Sequence, residues 1–257
     1  MSKRSWYIVA FTVASVAVAF LLPAMPQPVD YHEFADDRRL VGVANFLDVV
    51  SNAAFVVAGL AGMIVTLYPR TPFEYARERL PYLVFFLGVA LTGLGSGYYH
   101  LAPNNETLFW DRLPITIAFM SLISAQIVDR ISIRAGLALL LPMLLIGMGS
   151  VVYWIVTERA GVGNVMPYGV LQFYSVVMLF VLALLHRSRY TRGNDIYWVF
   201  AAYVVAKLFE TFDHQILALG NLVSGHSLKH LAAAVGSLLV MRMLWLRRLQ
   251  ERAGATL

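Results

Sequence analysis

Leu80-Pro-Tyr-Leu-Val-Phe-Phe-Leu-Gly-Val-Ala-Leu-Thr-Gly-Leu-Gly-Ser-Gly-Tyr-Tyr-His100 decides the fold class. The stretch has no carboxylate, ammonium or guanidinium, and its length suits a hydrocarbon core about 30 Å thick, which takes about 20 apolar residues of helix to cross. Its last turn breaks the apolar pattern with Ser96 and His100, four residues apart and therefore on one face. Outward from it, seven more apolar runs fill most of the chain: Trp6 to Pro23, Phe46 to Tyr68, Phe109 to Val128, Ile133 to Val156, Met166 to His186, Tyr197 to Leu217, and His226 to Leu246. An all-α polytopic membrane protein is expected, and the run lengths exclude a β-barrel. Lys3 and Arg4 before the first run also fit a signal peptide, but the run's length and its poor small-x-small ending favour a retained helix.

The composition agrees. Apolar residues make up 59% and charged residues 14%, with a mean hydropathy of +0.67, whereas soluble domains carry about one quarter charged residues. The formal charge of +5 comes from Lys and Arg in short loops and helix ends, with no basic stripe interleaved with aromatics, so no nucleic-acid partner is expected. These residues report orientation instead. With the N-terminus inside, Lys3, Arg4, Arg70, Arg77, Arg79, Arg130, Arg134, Arg187, Arg189, Arg192, Arg242, Arg247, Arg248 and Arg252 fall on the cytoplasmic side, against Arg38, Arg39 and Arg159 outside. Both termini are then cytoplasmic and the His100 end faces outward. The absence of cysteine excludes disulfides, thiolate ligands and a cysteine nucleophile. Together with the short loops it gives the chain a bacterial look, which implies an inner membrane and a periplasmic site.

Under this orientation the polar residues of the apolar runs gather at one depth. Ser96 and His100 close one span, Asp111 opens the next, and His226 and His230 open the last. The two latter histidines, spaced i, i+4, project from one helix face and suit a shared metal. Ionisable groups inside a bilayer are costly and tend to mark function. Three imidazoles and a water make an open tetrahedral zinc site, and the all-imidazole set suits zinc. Such a zinc lowers the pKa of its water toward about 7, Asp111 would take the proton, and Ser96 would hydrogen-bond the water or the developing oxyanion. Simpler readings stand beside these: interfacial histidines, a carboxylate favoured by a helix N-terminus, and a serine that serves packing.

Two further acids, Glu210 and Asp213, lie near the same end, with Lys207 one turn from Glu210. Asp213 is read either as the outer partner of a metal-binding histidine's second ring nitrogen or, with Glu210, as part of an ion pair with Lys207 or Lys229. His214 and His186 are read as interfacial. The loop Asp30-Tyr-His-Glu-Phe-Ala-Asp-Asp37, followed by Asn45 and Asp48, collects oxygen atoms that suit calcium or a solvated acidic face.

Gly-Leu-Gly-Ser96-Gly-Tyr-Tyr-His100, Leu108-Phe-Trp-Asp111-Arg-Leu-Pro114, Gly225-His226-Ser-Leu-Lys-His230 and Phe46-Leu-Asp-Val-Val-Ser-Asn52 together resemble the alkaline ceramidase family, within a wider superfamily of seven-helix membrane hydrolases that includes the adiponectin receptors. The resemblance covers nearly everything after Asp30. It implies a seven-helix hydrolase core over 30–257, with 1–29 as an additional N-terminal transmembrane helix. It also implies His100, His226 and His230 as zinc ligands, Ser96 and Asp111 as catalytic residues, and cleavage of the amide of a ceramide-like lipid to a sphingoid base and a fatty acid. The eukaryotic members carry calcium. Asp30 and Glu33 match that site loosely, while Asn45 stands where a glutamate is expected.

The expectation is therefore a zinc-dependent intramembrane hydrolase that takes a lipid amide from the bilayer. Its rivals are a zinc-containing receptor or transducer without significant turnover, for which Asp111 and Ser96 would be superfluous, and an ion-coupled transporter using Glu210, Asp213 and Lys207. No inverted repeat supports the latter.

Overall fold

The computed structural model describes residues 3–250, with side chains from residue 6. Of the charges used for orientation, Arg252 lies outside the described residues, and the side chains of Lys3 and Arg4 lie outside those described. The α-helices are α1 (Lys3–Leu21), α2 (Phe46–Ser51), α3 (Ala53–Leu67), α4 (Arg79–Leu101), α5 (Asn105–Arg130), α6 (Ile133–Arg159), α7 (Met166–Leu185), α8 (Ile196–Thr211), α9 (Asp213–Ala218) and α10 (Gly225–Leu246). Helix accounts for 76% of the chain and no strand is present among the described residues. The all-α expectation holds.

Among the described residues, six helical segments are long and apolar enough to cross a membrane: Phe46–Leu67, which joins α2 and α3, together with α4, α5, α6, α7 and α10. At 1.5 Å per residue the 23 residues of α4 reach about 34 Å. The first and seventh expected spans are shorter than this, with α8 holding 16 residues. Outward-facing positions carry Leu60, Ile64, Leu94, Leu145, Ile146, Phe173 and Leu184, all exposed, as a lipid-facing surface requires.

Two expected spans are interrupted, each for a local reason. At the α2–α3 break, Asn52 Nδ2 and Ser51 Oγ both donate to the Asp48 carbonyl, at 2.7 and 3.0 Å. Such side-chain donors compete with the helical ladder. Between α8 and α9, Phe212 leaves helical geometry and turns Asp213 back toward the start of α10.

Neighbour packing closes a ring: α3 on α4, α4 on α5, α5 on α7, α7 on α8, α8 on α10, and α10 on α3. An apolar cluster runs through the ring, including Phe55, Phe86, Ile123, Leu182, Val240 and Leu244. Inside lies a cavity of about 220 Å³ walled mainly by α4, α5, α7, α8 and α10. Helix α6 packs against α5 and α7, and α1 against α7, where Phe11 stacks on Tyr174 at 5.5 Å. Neither helix lines the cavity.

At one end of the ring, two arginines read as loop charges are buried. Arg247, 2% exposed, pairs with Asp129 at 2.7 Å and stacks on Tyr190 at 3.9 Å. Arg130 donates to the carbonyls of His186 and Gly193. These arginines tie the α5–α6, α7–α8 and α10 ends together, so they hold the bundle as well as marking its basic end.

Candidate active site

The opposite end carries the polar residues. A tight α4–α5 turn brings two of the elements together. Asn104 accepts from the N–H groups of Glu106 and Thr107, and the Thr107 hydroxyl donates to Ala102 O at 2.7 Å, so α5 starts from a side-chain cap. Pro114 cannot donate to the Trp110 carbonyl, and that carbonyl faces Gly95, where an added Cβ would sit 2.0 Å from the oxygen. Only glycine allows this approach, and it sets Ser96 against Asp111. Both side chains line the cavity there.

The start of α10 is held just as closely. Ser224 caps the helix by accepting from Ser227 N at 2.9 Å, and the hydroxyls of Ser224 and Ser227 both donate to Asp48 Oδ1, at 2.9 and 2.5 Å. Gly225 lies where a Cβ would come 2.2 Å from the Phe209 carbonyl oxygen. Helices α2, α8 and α10 are thereby locked around His226 and His230.

The three histidines meet. His100, His226 and His230 each offer a ring nitrogen, all within 4.8 Å of one another, the only such group of three or more His, Asp or Glu side chains among the described residues. Their ring centroids are 4.8 to 5.1 Å apart. His100 and His230 are 1% and 2% exposed. His100 Nδ1 and His226 Nε2 are enclosed with no hydrogen-bond partner, a state that costs about 1–3 kcal/mol for each buried polar atom. His230 Nδ1 meets Ser51 Oγ at 2.8 Å. Because that hydroxyl donates to the Asp48 carbonyl, Nδ1 carries the proton and Nε2 is left with a free lone pair. Unpartnered inward nitrogens with an oriented outer shell are what a metal ion requires of imidazole ligands. The donor set fits zinc.

Asp213 is adjacent, but its role differs from the ring-nitrogen partner expected. Its Oδ1 accepts from the backbone N–H of His226 at 2.7 Å and its Oδ2 from Ala35 N at 3.1 Å. It caps the α10 start and anchors the preceding loop. The hydroxyl that orients an imidazole is Ser51, three residues after Asp48. Asp48 and Ser51 share one helix turn, but no local signal in the sequence pairs Ser51 with His230.

The acidic loop covers the site rather than forming an oxygen cage. Asp30 and Glu33 are exposed, whereas Asn45 is buried and donates its Nδ2 to the His100 carbonyl at 2.9 Å. This arrangement does not fit a calcium ion, which wants six to eight oxygens. Asp36 instead binds Arg38 at 2.6 Å, and that guanidinium holds its carboxyl below the usual range. Phe34 packs on the rings of His100 and His226 at 4.6 and 4.7 Å, and His32 bridges Tyr99 and Asn105.

Glu210 forms ion pairs with both Lys207 and Lys229, the latter at 3.0 Å. His214 is exposed near the site end, and His186 sits at the opposite end, where its carbonyl accepts from Arg130. Ser96, Asp111 and His230 open onto the cavity together with Lys229 and Glu210.

Fold and site thus define a polytopic helical membrane protein with a buried tri-histidine centre beside a carboxylate and a hydroxyl. The Ceramidase family model matches residues 40–256. The chain belongs to that family, whose members are hydrolases of lipid amides. No curated protein shows significant similarity to it.

Proposed function

We propose that the protein is a zinc-dependent hydrolase of a ceramide-like lipid amide, releasing a fatty acid and a sphingoid base or other amine. The observation that carries this reading is the convergence of three inward-facing imidazoles with Asp111 and Ser96 at the mouth of an apolar cavity. His100, His226 and His230 would hold the ion. Bound zinc supplies an electrophile and lowers the pKa of water toward about 7.

The chain's own groups account for the rest. The apolar walls, among them Phe85, Val89, Ile115, Leu122, Val176 and Leu179, hold the acyl chain and exclude water. Asp111 takes a proton from the attacking water and returns it to the amide nitrogen as the C–N bond breaks. Ser96, which lines the cavity with Asp111, is assigned a hydrogen bond from its hydroxyl to that carboxylate in this reading. Once Asp111 is protonated, that hydroxyl can turn to the developing oxyanion. The Lys and Arg asymmetry supports cytoplasmic termini and a site on the periplasmic side of a bacterial inner membrane.

Purified protein, analysed for metal content and incubated with ceramides and other lipid amides while released fatty acid is followed by mass spectrometry, tests the reading. His230→Ala is expected to lose zinc and turnover together. Asp111→Asn is expected to keep zinc and lose about 10²- to 10⁴-fold in kcat, the usual contribution of a general base. Stoichiometric zinc with no product from any lipid would favour a non-catalytic receptor.

A further inference from the structure

The cavity has a polar wall that the hydrolytic machinery leaves unused. Tyr203, Lys207 and Glu210 follow one another at i, i+4 and i+7 on α8, so they share a face, and all three line the cavity with Lys229 of α10. Both Glu210 oxygens are engaged by lysines, Oε1 taking Lys229 and Oε2 taking Lys207. The lysines are not saturated. Each ammonium brings three donors, and each shows one hydrogen bond, to Glu210. The Tyr203 hydroxyl is enclosed and has no partner.

The wall therefore has donors in surplus, and both Glu210 oxygens already take a lysine, while the other carboxylate lining the cavity, Asp111, belongs to the hydrolytic machinery. Its position is equally specific. Lys229 directly precedes the histidine His230, and its charge acts on Asp111, His100, His226 and His230. A substrate whose carbonyl sits at the histidines and whose acyl chain fills the apolar walls would bring its amine-side headgroup to this wall.

We infer that Lys207, Lys229 and Tyr203 form a headgroup subsite for an anionic amine moiety, so that the preferred substrates are lipid amides bearing a carboxylate next to the amide nitrogen, that is, N-acyl amino acids. Hydrolysis adds water across the C–N bond and releases a fatty carboxylate and the free amino acid. A carboxylate there accepts charge-assisted hydrogen bonds from the surplus lysine and tyrosine donors. The inference rests on the hydrolase reading and narrows its substrate class.

The test uses the zinc-loaded full chain in detergent with three amides of one acyl chain: N-palmitoylglycine, N-palmitoylethanolamine and N-palmitoylsphingosine. The expected result is a kcat/KM for palmitoylglycine roughly tenfold or more above that for palmitoylethanolamine, as a charge-assisted contact provides. Lys207→Met is expected to bring the ratio toward one mainly through a higher KM for palmitoylglycine, Tyr203→Phe to reduce it in part, and Lys207→Arg to restore it. Because both substrates are measured on one preparation, partial misfolding cancels in the ratio. A wild-type ratio at or below one, a preference for the sphingosine amide, or an unchanged ratio in Lys207→Met would overturn the inference while leaving the hydrolase reading intact. If none of the three is cleaved, the hydrolase reading fails. Titration calorimetry with palmitoylglycine against palmitoylethanolamine then decides the subsite, equal affinities overturning it.

Discussion

His230 shows how much of the proposed zinc site would be set by residues that make no contact with an ion. Its Nδ1–H donates to Ser51 Oγ, whose own hydroxyl donates to the Asp48 carbonyl, so tautomer and ring orientation are both set. Replacing Ser51 with Ala removes that acceptor and leaves an N–H enclosed among apolar neighbours such as Phe55. Zinc affinity is expected to fall about 10- to 100-fold, the usual effect of losing such a partner, with helix content unchanged. Chelator competition followed alongside circular dichroism measures both, and wild-type affinity in Ser51→Ala would show the relay to be incidental. The i, i+4 histidine pair and the Ser96–His100 pair were legible because helical spacing alone puts them on one face. Ser51 was not, because its partner lies 179 positions away and only packing of α2 on α10 brings them together.

At the scale of elements, two glycine contacts and one loop position the site. A methyl at Gly225 would stand 2.2 Å from the Phe209 carbonyl oxygen and 2.7 Å from Asp213 Cα, so the start of α10 would have to move away from α8 and α9. Gly225→Ala is expected to destabilise the protein by about 1–3 kcal/mol through overpacking and to weaken zinc binding. Thermal unfolding and metal analysis of the variant would reveal this, and an unshifted midpoint would count against the close approach. The covering loop is pinned by His32, whose burial pushes its pKa below the ordinary value. A lowered pKa in the folded protein means that the detached loop binds more protons. The pin is therefore strongest above about pH 6.5, the usual histidine value, and is lost progressively as pH falls below it. Hydrogen exchange of the loop amides, corrected for intrinsic rates, is expected to quicken on acidification in the wild type and to lose that dependence in His32→Gln. The breaks at Asn52 and Phe212 were hidden in sequence because hydropathy does not say whether the polar residues flanking them, Asp48 and Ser51 in one span and Glu210 and Asp213 in the other, interrupt the helix or line a site.

Across the whole molecule the two ends of the bundle are built differently. One end collects histidines, Asp111 and a covering loop, and the other is tied by the buried Arg247–Asp129 pair and by Arg130. Asp129→Ala leaves Arg247 enclosed without its counter-charge and is expected to cost about 3–5 kcal/mol, read as a lowered unfolding midpoint, while protein that remains folded keeps its zinc because the change lies at the far end from the histidines. Loss of zinc at temperatures where the helices persist would contradict that separation. The sequence by itself determined the fold class, the membrane setting and the candidate residues. Apolar run length answers to bilayer thickness, and helical period answers to which residues share a face. Tertiary structure decided what those residues do to one another. It turned Asp213 from a ring partner into a cap on the His226 backbone, left the acidic loop a cover rather than an ion cage, and made Arg247 a buried tie. Each of these depends on which helices adjoin around the ring, and adjacency is set by packing between elements far apart in the chain, which no local pattern encodes.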